Sequence, residues 1–186
     1  GTCILPDAPN QVLADFASVG GGSGNLAGGN PALERLAVPG TGSYSTIGGG
    51  MSNQASGYGS TVSGGLVNTA SGSESAIGGG WKNIATGSGA TVPGGWKNIA
   101  AASHSFAAGQ GAQVQANHNG TFVWNSADVA TFASTAPFQF LISAAGGVGI
   151  GTNSPSATLE VAGSLNVDTN TLVVDNTNNR VGIGTA

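Results

Sequence analysis

GSESAIGGGWKNIAT at residues 72–86 runs without a gap into GSGATVPGGWKNIAA at residues 87–101, and the likeness of these two 15-residue strings decides how the chain is read. The same unit continues outward on both sides. GSYSTIGGGMSNQAS (42–56) and GYGSTVSGGLVNTAS (57–71) precede it, and the degraded ASHSFAAGQGAQVQA (102–116) follows, giving five passes in all. In this register the eighth column is Gly49, Gly64, Gly79, Gly94 and Gly109, and the sixth is Ile47, Val62, Ile77, Val92 and Ala107. The twelfth is Asn53, Asn68, Asn83, Asn98 and then Gln113. Ala55, Ala70, Ala85 and Ala100 fill the fourteenth, where the fifth pass has Gln115.

A period of 15 residues is too short for a helix-turn-helix repeat and too long for a hexapeptide coil, but it holds two short strands and two turns. Each pass therefore reads as one coil of a β-solenoid. Columns four to eight form a first strand, and x-Asn-x-Ala forms a second. Because side chains alternate across a strand, Ser60, Val62 and Gly64 share one face while Thr61 and Ser63 take the other. Gly-Gly at columns eight and nine, and glycine at column one, supply the positive φ that sharp bends need. Stacking at about 4.8 Å per coil gives ladders of Ile/Val, Asn and Ala in a rod of roughly 24 Å. The inward side chains are Ser, Ala, Gly and one Ile or Val. At about 25 cal/mol per Å² of apolar area, such a coil is marginal against its ordering entropy. Columns of Gly and Ala let other chains approach closely, so several copies are expected to pack side by side.

Composition narrows the classes further. With 34 glycines and 6% charged residues, the chain of 186 fits neither an ordinary globule nor a solvated tail. Glycine comes in pairs and triplets, not at every third position, which excludes collagen. A net charge of −4 with four basic residues (Arg35, Lys82, Lys97, Arg180) leaves no basic surface for phosphate contacts, so nucleic acid is not expected as a partner. No apolar run approaches the roughly 18 residues of a span, so no membrane insertion is expected in this segment. No leader opens the chain, which reads as a mature or excised piece. The lone Cys3 is read as an inert thiol.

Outside the repeats the pattern loosens. Residues 1–41 read as an irregular N-terminal section, with a short apolar stretch at 11–17, Gly clusters at 20–29 that suggest degenerate coils with insertions, and a possible brief helix at 31–36. No Gly-Lys-Ser/Thr follows the glycines, so they are not a phosphate loop. Residues 117–147 read as an aromatic cap and transition. Phe122 and Trp124 lie two apart on one strand face, and Phe132, Phe138, Phe140, Leu141 and Ile142 are expected to form the hub of the second domain. Residues 148–186 read as a β-rich connector in which Val148-Gly149-Ile150-Gly151-Thr152 recurs as Val181-Gly182-Ile183-Gly184-Thr185, an offset of 33 residues. Three strand-like runs lie between (157–161, 164–167 and 171–174). The second copy stops at Ala186, so the natural chain is expected to continue.

The passes Ser-x-Val/Ala-x-Gly followed by x-Asn-x-Ala, over residues 42–116, resemble the YadA-like head of trimeric autotransporter adhesins. That resemblance implies a left-handed parallel β-roll in which three chains share an axis. The run SHSFAAGQGAQVQANHNGTFVWNSAD, with QFLISAAGGVGIGTNSPSATLEVAG, is similar to head and connector regions of bacterial and phage tail-fibre-domain proteins. These often end in an endosialidase-type intramolecular chaperone, which this sequence lacks, as it lacks a coiled-coil stalk and membrane anchor. The family implies a homotrimeric surface or virion fibre, not a catalyst.

The remaining candidates are weak as chemistry. His104 and His118 with Ser103, Ser105 and Asp128 lack the spacing and nucleophile elbow of a hydrolytic triad. Without Cys or paired carboxylates the histidines make a poor metal set, although three copies of one His on a trimer axis would form one. Asp168-Thr169-Asn170 and Asp175-Asn176-Thr177-Asn178-Asn179 offer oxygen ligands but read as turns. Glu34, Glu74 and Glu160 form no glycosidase pair. No cofactor is expected. What stands out is Trp-Lys-Asn-Ile-Ala repeated in register: Trp81 over Trp96 and Lys82 over Lys97, with Met51 and Leu66 continuing the column. It reads either as packing between chains of the trimer or as a strip that binds a cell-surface glycan or protein receptor.

The expectation is therefore a non-enzymatic, extracellular, homotrimeric fibre segment for extension and adhesion, on a bacterial surface or a phage-like virion tail. Two alternatives remain. Thr46, Thr61 and Thr91 in one column point to an ice- or surface-binding solenoid, and a glycan-cleaving tail spike would make the chain an enzyme.

Overall fold

A computed structural model of the chain describes residues 8–29, 42–126, 131–167, 172–175 and 180–183. Among these residues the protein is all β, without helix, and it divides into two compact units, Gly1–Ser143 and Ala144–Ala186.

The first unit is a parallel β-solenoid. Its strands are β1 (Gln11–Val12), β2 (Ser18–Val19), β3 (Leu26–Ala27), β4 (Thr46–Ile47), β5 (Gln54–Ala55) and β6 (Thr61–Val62). Then come β7 (Thr69–Ala70), β8 (Ala76–Ile77), β9 (Ile84–Ala85), β10 (Thr91–Val92) and β11 (Ile99–Ala100). The later coils have β12 (Phe106–Gly109), β13 (Ala112–Val114), β14 (Phe122–Asn125), β15 (Phe132–Ala133) and β16 (Phe140–Ser143). Odd strands stack as one eight-stranded sheet and even strands as another, each in chain order, so every coil passes once through each sheet.

The coil interior is built from four columns. Ile47, Val62, Ile77 and Val92 point in from the even sheet, Ala55, Ala70, Ala85 and Ala100 from the odd one, and all are buried. Buried serines (Ser45, Ser60, Ser75) and asparagines complete the interior. The regular strands are two residues long, shorter than the four or five that the period allows, because the chain bends twice in quick succession. At column nine Gly50, Gly65, Gly80 and Gly95 all have φ between 85° and 94°. A Cβ on Gly80 would lie 2.2 Å from the carbonyl oxygen of Gly95, so only glycine fits.

The asparagine column holds the stack together. Oδ1 of Asn53 accepts the backbone N–H of Asn68 at 3.0 Å, Asn68 that of Asn83, and Asn83 that of Asn98, each at 3.0 Å. Each Nδ2 donates twice, in Asn68 to the carbonyls of Gly64 (3.1 Å) and Gly80 (2.9 Å). The amide suits this place because it both accepts and donates, whereas an ionised carboxylate cannot donate. The buried asparagine amides are tolerated here because their partners are complete.

The solenoid extends past the stretch 42–116 at both ends. Asn10 and Asn25 begin the same ladder, with Asn53 N–H bonded to Asn25 Oδ1 across 28 residues. Thr46 and Gln54 pair with Ser18 and Leu26, each 28 residues earlier, so the columns run on across the longer spacing between them. At the other end, β14 pairs in parallel with β12 and with β16, so Phe122–Asn125 and Phe140–Ser143, read from the sequence as part of an aromatic cap and transition, continue the even sheet of the solenoid. Phe140 and Ile142 accordingly belong to the solenoid, not to the hub of the second unit.

The fifth pass also has a different register from the one a fixed period gives. Gln113 and Val114 pair with Ile99 and Ala100, which puts Ala112, not Gln113, in the asparagine column and Val114, not Gln115, in the alanine column. One residue has been lost between Ala107 and the bend, where Gly109 takes the place of Gly95. The ladder ends there, with the Ala112 N–H closing on Asn98 Oδ1 at 2.9 Å.

The second unit has a parallel pair, β17 (Val148–Ile150) with β18 (Leu159–Val161). It also has an antiparallel meander of β19 (Leu165–Val167), β20 (Leu172–Asp175) and β21 (Arg180–Ile183). The first part of the repeated Val-Gly-Ile is thus strand in both copies, but with parallel pairing in one and antiparallel in the other.

Candidate functional site

Column ten lies between the glycine bend and the asparagine rung, and it makes a third line of contact between coils. Ser23, Met51, Leu66, Trp81, Trp96 and Gln110 follow one another as parallel single-residue bridges. The backbone fixes the line, since Trp81 N–H donates to Gly95 O and Trp96 N–H to Gly109 O, each at 3.0 Å. The next residue is left-handed in every regular coil: Ser52, Val67, Lys82 and Lys97 have φ of 54°, 57°, 56° and 55°. This is costly for a side chain, most of all for β-branched Val67, and is held by bonds such as Lys97 N–H to Trp81 O at 3.0 Å.

These bends turn the repeated pentapeptide into an outward strip. The Trp81 and Trp96 rings stack with centroids 5.8 Å apart and planes 11° from parallel. Lys82 Nζ lies 4.8 Å from the Trp81 ring centre and Lys97 Nζ 4.6 Å from that of Trp96. Trp81 is 41% exposed, Met51 and Leu66 nearly as much, and Trp96 is half-buried with its indole N–H covered and unpartnered. Stacking occupies one face of each indole and the ammonium groups sit over the rings. What the strip offers outward is ring edges and two cations. Neither lysine has a carboxylate partner among the described residues. Two like charges one rung apart repel by up to about 1 kcal/mol in water, which an arriving anion relieves. The sequence places all four residues, Trp81, Trp96, Lys82 and Lys97, in this one strip, and the structure brings them together.

The other sequence candidates stay apart. Ser105 Oγ donates to Ala102 O at 2.6 Å, while His118 Nδ1 meets Ser134 Oγ at 2.7 Å. The His104 ring lies over Gly89. No group of three or more His, Cys, Asp or Glu among the described residues is placed to hold a metal ion. Glu160 accepts from the backbone N–H and hydroxyl of Ser156, which hold its carboxyl below the usual range. Cys3, residues 31–36 with Glu34 and Arg35, Asp128, residues 168–170 and residues 176–179 lie outside the described residues, and the side chains of Asp175 and Arg180 likewise.

Two features escaped the sequence reading. At column three every coil has a left-handed residue: Phe16, Tyr44, Gly59, Glu74, Gly89, His104, Gly120 and Phe138. From Gly59 onward large and glycine alternate, because a side chain on one rung lies over the glycine of the rung before, as His104 does over Gly89 and Phe138 over Gly120. Phe16 and Tyr44 instead stack at 4.9 Å, leaving an aromatic corner with Phe16 77% exposed. The second feature is an outer aromatic column on the even sheet, where Phe106, Phe122 and Phe140 stack at 4.8 and 4.5 Å. No family model, curated protein or solved structure matches this chain.

Proposed function

We propose that this chain is a segment of a homotrimeric, non-enzymatic fibre outside the cell, on a bacterial surface or a phage-like tail. It lengthens the fibre and adheres to a cell-surface glycan or protein through Trp81, Trp96, Lys82 and Lys97. The observation that carries this reading is the exposed Trp–Lys strip on a stack whose interior is taken up by Ser, Asn, Ala and one Ile or Val per coil. Two ammonium groups beside aromatic edges suit a ligand with an acidic group, such as a uronic or sialic acid residue. Three copies of the strip on one fibre multiply a weak contact. Retention on immobilised acidic and neutral glycans tests it. The acidic set should retain the protein, added salt should release it, and Lys82→Ala with Lys97→Ala should lower retention about tenfold, the equivalent of about 1.4 kcal/mol. Equal retention on both sets by both proteins would defeat the reading.

One observation favours a surface-binding alternative: Thr46 and Thr61 are paired neighbours on the outer face of the even sheet, with Thr91 in the same column. Ala76 interrupts that column and Phe106 ends it. Thermal hysteresis in the purified protein would revive this alternative, and release of oligosaccharides from a polysaccharide substrate would favour the tail-spike enzyme.

A further inference from the structure

The outer face of the even sheet carries two columns of side chains. One runs Ser18, Thr46, Thr61, Ala76, Thr91, Phe106, Phe122, Phe140. Beside it, two residues further along each strand, Ala108, Trp124 and Ile142 face the same way on the last three rungs. Ala107, Val123 and Leu141, between them, turn into the core. Phe140 is 70% and Ile142 37% exposed, and Phe122 and Trp124 are half-buried. Such contiguous apolar area, richest in aromatics and free of charge, is what the centre of a protein interface has.

We infer that this face is where copies of the chain meet, side by side and in parallel, with the Phe106–Phe122–Phe140 column turned to the common axis. The inference rests on the trimeric reading above and names its contact surface. Area and period argue for a second copy as the occupant. Three rungs of two columns fall short of the roughly 800 Å² per partner that a stable interface needs, so the contact has to run on along the rest of the face. There the side chains are small and uncharged (Ser, Thr, Ala, Gly, Pro), and they repeat at the strand spacing of about 4.8 Å. A second copy repeats at the same spacing along its whole length and brings no like charge to the face. A globular partner has no such period.

The test has two parts. Light scattering gives the mass of the full chain and of Phe122→Asp, with Gln113→Asp on the odd sheet as control and far-UV circular dichroism to report folding. Separately, Ser63→Cys in a Cys3→Ser background is treated with a short bismaleimide, since a column at the axis meets its own counterpart at equal height. The expected results are a trimer mass for the wild type and the control, a threefold lower mass for Phe122→Asp, and Ser63→Cys cross-linked to itself. A trimer in which Phe122→Asp changes nothing and Ser63→Cys does not cross-link overturns the inference and leaves the trimeric reading standing. A single-chain mass for the wild type overturns both. Should Phe122→Asp fail to fold, the cross-link alone decides.

Discussion

Between Asn25 and Asn98 successive coils are joined by buried amide side chains, whereas from Phe106 to Ser143 they are joined by longer strands and stacked rings. The difference shows what each device tolerates. An amide ladder works only when every asparagine faces the next one's N–H, so the segment from glycine bend to asparagine must keep its length. The insertion after Ala27 leaves that segment whole and the ladder survives it. The single-residue loss falls before Gly109 and leaves Gly109 to Ala112 as long as Gly95 to Asn98, so the N–H of Ala112 still meets Asn98 Oδ1, and the ladder ends only because alanine carries no amide to pass it on. Aromatic stacking outside the core makes no such demand. Phe106 pairs with Phe122 and Phe122 with Phe140 although the coils there have grown by different amounts.

Four experiments sharpen or break this contrast. The largest effect is expected from Gly80→Ala, where the new methyl meets the Gly95 carbonyl at a φ of 85°; the loss should exceed about 4 kcal/mol by chemical denaturation. Next is Asn68→Ala. It strips partners from the part-buried Gly64 carbonyl and from the buried Asn83 N–H, and should cost about 3–5 kcal/mol, a few kcal/mol more than Gln113→Ala on the same sheet. Phe122→Ala removes a ring stacked on both sides but only half-buried, and should cost about 1–2 kcal/mol without disturbing the regular coils. A cost for Phe122→Ala as large as that of Asn68→Ala would erase the contrast.

The smallest effect tests the regular coils from the other side. Ser45, Ser60 and Ser75 are buried with hydroxyls that have no partner, and Ala90 occupies the same column. Ser60→Ala should therefore be neutral or stabilising by up to about 1 kcal/mol, since it removes an unpaired polar group from the interior. Thermal melts of the single and triple alanine variants would show the trend.

How much of this was legible in the sequence depends on whether the period stayed intact. Trp81 and Trp96 fall in one column because an identical pentapeptide recurs in phase, and the Asn53 to Asn98 ladder is visible for the same reason. Asn25 carries the same local signal, Gly-Gly-x-x-Asn-x-Ala at residues 21–27, but the insertion displaces it from the 15-residue frame. The fifth pass misleads in the opposite way. A frame held at 15 residues sets Gln113 against Asn98, and the pairing of Gln113 with Ile99 and the hydrogen bond from Ala112 show the slip. Left-handed Phe16, Tyr44 and His104 were out of reach, because propensity reserves such bends for glycine; Gly89 on the neighbouring rung makes room for His104, while Phe16 and Tyr44 stack on each other. The Phe106–Phe122–Phe140 column was hidden by coils of unequal length.

The most direct test of the account is amide hydrogen exchange of the intact protein, resolved by residue. If the coils are tied by side-chain amides, the backbone N–H groups of Asn53, Asn68, Asn83 and Asn98 exchange together among the slowest in the chain, and Asn68→Ala speeds Asn83 more than any amide two coils away. Exchange of these four as fast as that of the exposed corner amides would contradict the ladder and the stacked fold built on it.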